Sequence, residues 1–233
     1  MFPVFLRAGQ VFFKGLYGMF ITETHGAKGM RSRKIFTGGL CFALLFIMGC
    51  GKVNVANRKN PGLNIICFGD SITEGTGAGA GEDYPALLRG RVSRPVINAG
   101  RSGDTSWDAL QRLEEDVLAQ DPYLVVVEFG ANDFFKQVPR HKTFKNLDEI
   151  VSRIQARGAM VVLAEVRVGL IRDEYYEGLR TIAENRRALL VPDIMRGITL
   201  NAELKSDGIH PNAQGYALIA GKIYRHIAAF CDE

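Results

Sequence analysis

The chain has 233 residues, is 47% hydrophobic, and carries 29 Lys and Arg against 25 Asp and Glu. That length suits one ordinary domain plus an extension, and the apolar content supplies a core, which excludes wholesale disorder. The net charge of +4 is concentrated in residues 1–49, with six basic groups against Glu23, and leaves the rest near neutral, so composition gives no support to nucleic-acid binding.

The front of the chain reads as targeting sequence. Met30-Arg31-Ser32-Arg33-Lys34 is basic, Ile35 to Met48 is apolar or small, and Gly49-Cys50 follows. This is the layout of a secretory signal whose apolar core is short for a stable membrane span. Leu45-Phe46-Ile47-Met48-Gly49-Cys50 resembles a bacterial lipobox, although Met48 is larger than the residue usual there. The resemblance implies lipidation of Cys50, a membrane anchor, and a place in the cell envelope, periplasmic or at the outer membrane. Residues 1–29 read as a non-native extension ahead of a start at Met30, and 30–49 as a lipoprotein-type signal peptide. Residues 50–62 read as a polar tether with little to pack, and 63–233 as the folded domain. Cys67 falls in an apolar run and Cys231 near the end, so no disulfide framework or metal-type spacing emerges.

Leu63 to Phe68 is a short β-branched run that breaks at Gly69 and continues as Asp70-Ser71-Ile72-Thr73, a buried strand feeding a tight turn. Glu74 to Gly81 is a glycine-rich loop without the spacing of a dinucleotide or P-loop site. Tyr84 to Arg91 predicts a short helix with Pro85 in its first turn. Pro95 to Asn98 predicts a second strand, leading to Asp104 or Thr105 as the cap of a helix over 106–118. In that helix Trp107, Leu110, Leu113 and Val117 share a face. Tyr123 to Phe129 is a continuous apolar and β-branched run, as in a central parallel strand, and ends in Gly130-Ala131-Asn132-Asp133.

Leu147, Ile150, Val151 and Ile154 repeat at helical spacing up to Gly158, and Met160 to Ala164 is the fourth strand. A helix over about 173–185, a short strand at 188–191 and a last helix from Tyr216 to Phe230, entered just past Pro211, complete the pattern. Strands alternating with helices predict an α/β fold: a parallel sheet between two helical layers, with right-handed crossovers.

Loops that follow the strands of such a sheet share one edge. Here they carry Ser71, Gly103, Asn132 and the pair Asp207/His210. Together these are a nucleophile, hydrogen-bond donors, and a base with a carboxylate to orient it, the parts that acyl transfer needs. Singly, each has a plainer reading. Asn132-Asp133 could form an Asx turn, Asp207-Gly208 is a common turn pair, and His210-Pro211 could be a helix entry. His25, His141 and His226 have no carboxylate at suggestive spacing and read as surface or packing residues.

Four blocks in order, GDSIT at 69–73, NAGRSGDTS at 98–106, VVVEFGAND at 125–133 and DGIHPN at 207–212, make the chain resemble the SGNH, or GDSL, serine hydrolases. The resemblance is to the secreted thioesterase I/arylesterase/lysophospholipase branch and runs from about residue 64 to 230. It implies a three-layer α/β/α sandwich with a five-stranded, parallel, flavodoxin-like sheet. It makes Ser71 the nucleophile, His210 the base and Asp207 the residue that orients His210. It also forms an oxyanion hole from the backbone N–H groups of Ser71 and Gly103 and the side-chain amide of Asn132. Asp70 reads as a structural brace for the turn.

The implied substrate is a small-molecule acyl ester or thioester of the aryl ester, acyl-CoA or lysophospholipid type, and no metal or organic cofactor is implied. Phe134, Phe135 and Val168, with Val166, Leu170 and Ile171, are candidates for an acyl pocket. The alternatives are a carbohydrate O-acetylesterase and a lipid-anchored binding module without chemistry.

Overall fold

A computed structural model describes residues 54–167 and 174–231. The expectations for residues 1–29, the 30–49 signal, Cys50, Val168, Leu170 and Ile171 lie outside the described residues. Strands β1 (Asn64–Gly69), β2 (Val96–Gly100), β3 (Pro122–Glu128), β4 (Met160–Ala164) and β5 (Leu189–Val191) form one parallel sheet in the order β2-β1-β3-β4-β5. In register, Ile65 pairs with Val96 on one side and Leu124 on the other. All seven residues of β3 are buried, which is why its sequence is apolar almost without a break. The strand order reverses between β1 and β3, and the crevice beyond their carboxyl ends is where an open α/β sheet receives a ligand.

The helices are α1 (Ser71–Glu74), α2 (Tyr84–Arg89), α3 (Ser106–Leu113), α4 (Ala131–Phe135), α5 (Arg140–Ala156), α6 (Glu174–Arg186) and α7 (Ala213–Cys231). Two apolar cores result, one on each face of the sheet. Tyr84 and Leu88 of α2 and Ile219, Ile223 and Ile227 of α7 fill one core. Leu113 of α3, Leu147, Ile150 and Ile154 of α5 and Ile182 of α6 fill the other. Alternate residues of β1 supply both: Ile65 and Cys67 point to the first, Ile66 and Phe68 to the second. Burial pushes the Cys67 thiol up to about 12, as expected of a small core residue.

Some local expectations are narrowed and others revised. The helix after β2 is capped by Thr105, and its last five residues, Glu114–Leu118, widen into a π turn closed by the Ala119 N–H on the Glu114 carbonyl at 2.9 Å. Trp107 is 60% exposed and does not join the packed face. Asp133 grips the Ser106 N–H and hydroxyl at 2.8 and 2.6 Å, which turns Ser106 inward and swings the next residue about 100° outward. The last helix, expected to be entered just past Pro211, begins at Ala213: Pro211 bridges Lys205 outside it, and Asn212 caps it by accepting the Gly215 N–H at 3.1 Å.

The segment read as a loose tether is bound along the amino edge of the sheet. Val55 is buried, the Ala56 N–H donates to the Arg187 carbonyl at 2.9 Å, and the Asn57 amide donates to the Gln155 and Ala159 carbonyls at 2.8 and 3.1 Å. The Asn60 amide continues the line to the Tyr123 carbonyl at 3.1 Å.

Candidate active site

The nucleophile turn is built by what a side chain at Gly69 would hit. A Cβ there would run into the Thr73 hydroxyl and the Glu128 carboxyl, so only glycine lets β1 end so close to both. Asp70 then leaves the strand and caps α1, its Oδ1 accepting the Ile72 N–H at 3.1 Å. Ser71 is the first residue of that single helical turn and is half-buried.

Across the crevice, the loop before α7 folds on itself. Asp207 Oδ1 accepts the N–H groups of Ile209 and His210, both at 2.7 Å, and the Ser206 N–H donates to the His210 carbonyl at 2.9 Å. The Tyr216 hydroxyl ties α7 to the glycine-rich loop through the Thr76 carbonyl at 2.8 Å. His210 is presented between two partners: Nδ1 stands 2.7 Å from Asp207 Oδ2, and Nε2 stands 3.0 Å from Ser71 Oγ. The His210 side-chain hydrogen bond, then the two backbone N–H groups, hold the Asp207 carboxyl well below the usual range. An ionised Asp207 only accepts, so Nδ1 carries the proton and Nε2 is left to accept from the Ser71 hydroxyl.

Two further loops complete the crevice. Gly103 sits at φ +83°, a left-handed conformation that favours glycine. Among the described residues, neither the Gly103 N–H nor the Ser71 N–H donates to a protein acceptor. Asn132, in α4 at the end of β3, donates its side-chain N–H groups to Asp70 Oδ2 and to the Asp104 carbonyl, each at 3.0 Å. Asp133 anchors this turn beneath α3 through Ser106 and through the Thr143 hydroxyl at 3.0 Å. Lys136 Nζ reaches back to the Gly103 carbonyl at 2.7 Å.

Ser71, Gly103, Asn132 and His210 share a cavity of about 640 Å³. Ile72, Phe135, Val166, Met195 and Ile209 give it apolar walls. Phe134, expected to form part of that wall, is not among the described residues lining the cavity. Its ring packs edge-on to Phe135 with centroids 5.8 Å apart. Met195 and Ile209 went unrecognised in the sequence, where each stands in a loop with no periodicity to mark it.

Arg112 also carried no sequence signal, since a lone arginine on a helix reads as solvated surface. It is buried, and its guanidinium bonds Asp104 Oδ2 at 2.6 Å, Asp116 Oδ2 at 2.8 Å, and the carbonyls of Ala99 and Gly69 at 2.9 and 3.0 Å.

A family model described as GDSL-like lipase/acylhydrolase matches residues 67–218. An arylesterase from Vibrio mimicus is 29% identical over 167 residues, covering 67% of this chain and 84% of its own length. Thioesterase 1/protease 1/lysophospholipase L1 of Escherichia coli K12 is 30% identical over 164 residues, 67% of this chain and 79% of that protein. Among solved structures, the psychrotrophic esterase EstA from Pseudoalteromonas sp., inhibited by monoethylphosphonate, superposes with a TM-score of 0.66 at 29% identity. That match covers 73% of this chain and 99% of EstA.

Proposed function

The chain belongs to the GDSL-like lipase/acylhydrolase family of esterases, and we propose that it hydrolyses carboxylic esters or thioesters through an acyl-enzyme on Ser71. The observation that carries this reading is the relay of Asp207, His210 and Ser71 at 2.7 and 3.0 Å. His210 Nε2 takes the hydroxyl proton as Ser71 Oγ attacks the carbonyl carbon, and Asp207 stabilises the imidazolium that forms. The tetrahedral oxyanion is received by the Ser71 and Gly103 N–H groups, which have no other acceptor among the described residues, and by Asn132. His210 returns the proton to the leaving alcohol or thiol. It then deprotonates the water that attacks the acyl-enzyme carbonyl, and Ser71 regains its proton as the acid leaves.

The apolar walls suit the acyl part of an aryl ester, an acyl-CoA or a lysophospholipid. The inhibition of EstA by a phosphonate is in keeping with a serine nucleophile in this family. The test is a series of p-nitrophenyl esters from acetyl to palmitoyl with the purified full chain, followed by mass spectrometry after treatment with an alkyl phosphonate ester. The expected result is turnover of the esters and a single adduct on Ser71. An active protein modified elsewhere, or an active Ser71→Ala variant, rejects the nucleophile.

We further infer that Cys50 is lipidated and holds the protein at the cell envelope. The basic, apolar and Gly-Cys succession at 30–50 supports this reading. Mass spectrometry of the mature N-terminus tests it: an unmodified Cys50, or a start elsewhere, counts against it.

A further inference from the structure

The acyl-transfer steps above make no use of Glu128, yet it is fully buried at the end of β3, against the nucleophile turn. Its Oε2 accepts from the Thr73 hydroxyl at 2.9 Å and from the Asp70 N–H at 3.3 Å. Its Oε1 meets no donor among the described residues. Burial first, and the charge of Asp70 second, push this carboxyl well above the usual range and favour its protonated form. The two carboxyl groups are hydrogen-bonded to one another, and the acid donates to the Asp70 carboxylate.

What Asp70 does with its remaining capacity concerns the site directly. Its Oδ2 takes one N–H of Asn132, and the Asp104 carbonyl takes the other. The nitrogen and oxygen ends of an asparagine side chain have nearly the same shape, so packing alone does not choose between them. Two groups that only accept do choose: they admit the nitrogen end and repel the oxygen end. Asp70 and Asp104 adjoin Ser71 and Gly103 in sequence, so this choice turns the nitrogen to the side of the two free N–H groups.

We propose that Glu128, which touches no reacting atom, is a positioning residue: through Asp70 it sets which way round the Asn132 amide points and keeps an N–H, not a carbonyl oxygen, at the oxyanion position. The proposal rests on the reading of Asn132 as an oxyanion donor. When the oxyanion forms, its full charge outcompetes the neutral Asp104 carbonyl for one N–H, while the Asp70 bond holds the amide in place.

The experiment is a double-mutant cycle on the full chain with a short p-nitrophenyl ester. Glu128→Ala should lower kcat about tenfold or more with KM within about twofold, because the amide acts on the charge that develops in the transition state. In an Asn132→Ala background the same change should cost less than about twofold, since nothing is left to orient. Glu128→Gln, whose amide N–H replaces the acid O–H, should bring kcat back to within about threefold of the parent.

A purely structural Glu128 predicts the same loss in both backgrounds, and that result overturns the proposal. So does a Glu128→Gln variant as slow as Glu128→Ala. Should Glu128→Ala fail to fold, Asp70→Asn asks the same question. Its amide can present N–H to Asn132, so kcat should fall in the otherwise intact protein and not with Asn132→Ala. Losses equal in both backgrounds again overturn the proposal. An Asn132→Ala protein with the parent kcat would reject the oxyanion reading itself, and the proposal with it. A slow Asn132→Ala protein without coupling rejects the proposal alone.

Discussion

Arg112 Nε donates to Asp104 Oδ2 across 2.6 Å, and Nη2 of the same guanidinium donates to the Gly69 carbonyl at 3.0 Å. One buried cation therefore fastens the end of the nucleophile strand to the loop that carries Gly103. The group also lies over the Phe68 ring, 4.5 Å from its centroid, so its planar face is packed as well as its edges.

Arg112→Ala should destabilise the fold by about 3 kcal/mol, because it strands Asp104 and two carbonyls that the guanidinium now satisfies. Arg112→Lys should recover only part of this, since an ammonium lacks the planar fork that reaches partners on three elements. Urea unfolding of the three proteins checks it. A Lys variant as stable as the parent would mean that charge alone matters at this position.

The strap along the amino edge leads to a second expectation. A protein beginning at Leu63 loses the buried Val55 and the Asn57 and Asn60 amide bonds that one beginning at Asn54 keeps. Part-buried hydrogen bonds are each worth about 1 kcal/mol and a buried valine about 1.5 or more, so the shorter protein should unfold at clearly lower urea. Equal midpoints would return this segment to the role of a loose tether.

The limits of what the sequence disclosed follow from how each feature is encoded. Parallel strands buried on both faces must be apolar throughout, so β1, β3 and β4 stand out as runs, and the loops that follow them locate Ser71 and Asn132. The late Asp207/His210 pair is legible because three-residue spacing in a turn lets one carboxylate meet both the backbone and the ring of His210. The one-turn helices α1 and α4 are not legible. They have no room for periodicity and depend on a cap at Asp70 and the positive φ of Gly130. Glu128 and Arg112 are hidden for another reason. Each is a charged residue whose burial is met by partners from distant stretches, and pattern reading assigns such residues to water. Trp107 shows the converse error, an aromatic expected in the core and turned out by the grip of Asp133 on Ser106.

A pH experiment reads the Asp70–Glu128 pair without enzymology. Burial pushes the Asp70 carboxyl up to about 6 and the Glu128 carboxyl well above its usual range. In both, the folded pKa exceeds the unfolded one, so the folded protein holds protons that the unfolded chain releases. The contribution to stability is complete below the unfolded values and is lost as pH rises through the folded ones. Asp207 has the opposite sign, its contribution being lost as pH falls, but it is exposed and solvent screening leaves it a small share. Urea midpoints should therefore decline as pH rises from about 4 through 6 and beyond. Glu128→Gln cannot titrate and should decline less steeply. An unchanged slope would show that Glu128 is not protonated in the folded state.

The division of labour between Asp207 and His210 supplies the sharpest expectation about the proposed chemistry. His210 Nε2 is the group placed to take the Ser71 proton, at 3.0 Å, so His210→Ala should be nearly as damaging as Ser71→Ala. Asp207 holds the ring through Nδ1 at 2.7 Å and stabilises its charged form without taking part in the transfer. Its carboxylate also accepts the Ile209 and His210 N–H groups, so Asp207→Ala loosens the loop as well as the ring, while Asp207→Asn keeps an acceptor for the backbone. Both variants should retain measurable turnover, because removing the orienting carboxylate leaves the nucleophile, the base and the oxyanion donors in the protein. Groups that act as one unit do not add. Asp207→Ala with His210→Ala should therefore be little worse than His210→Ala alone, whereas independent groups would multiply their losses. The measurement is kcat for a short aryl ester across the cycle. Additive losses would mean that Asp207 acts on something other than His210, and the relay from Asp207 to Ser71 would have to be abandoned.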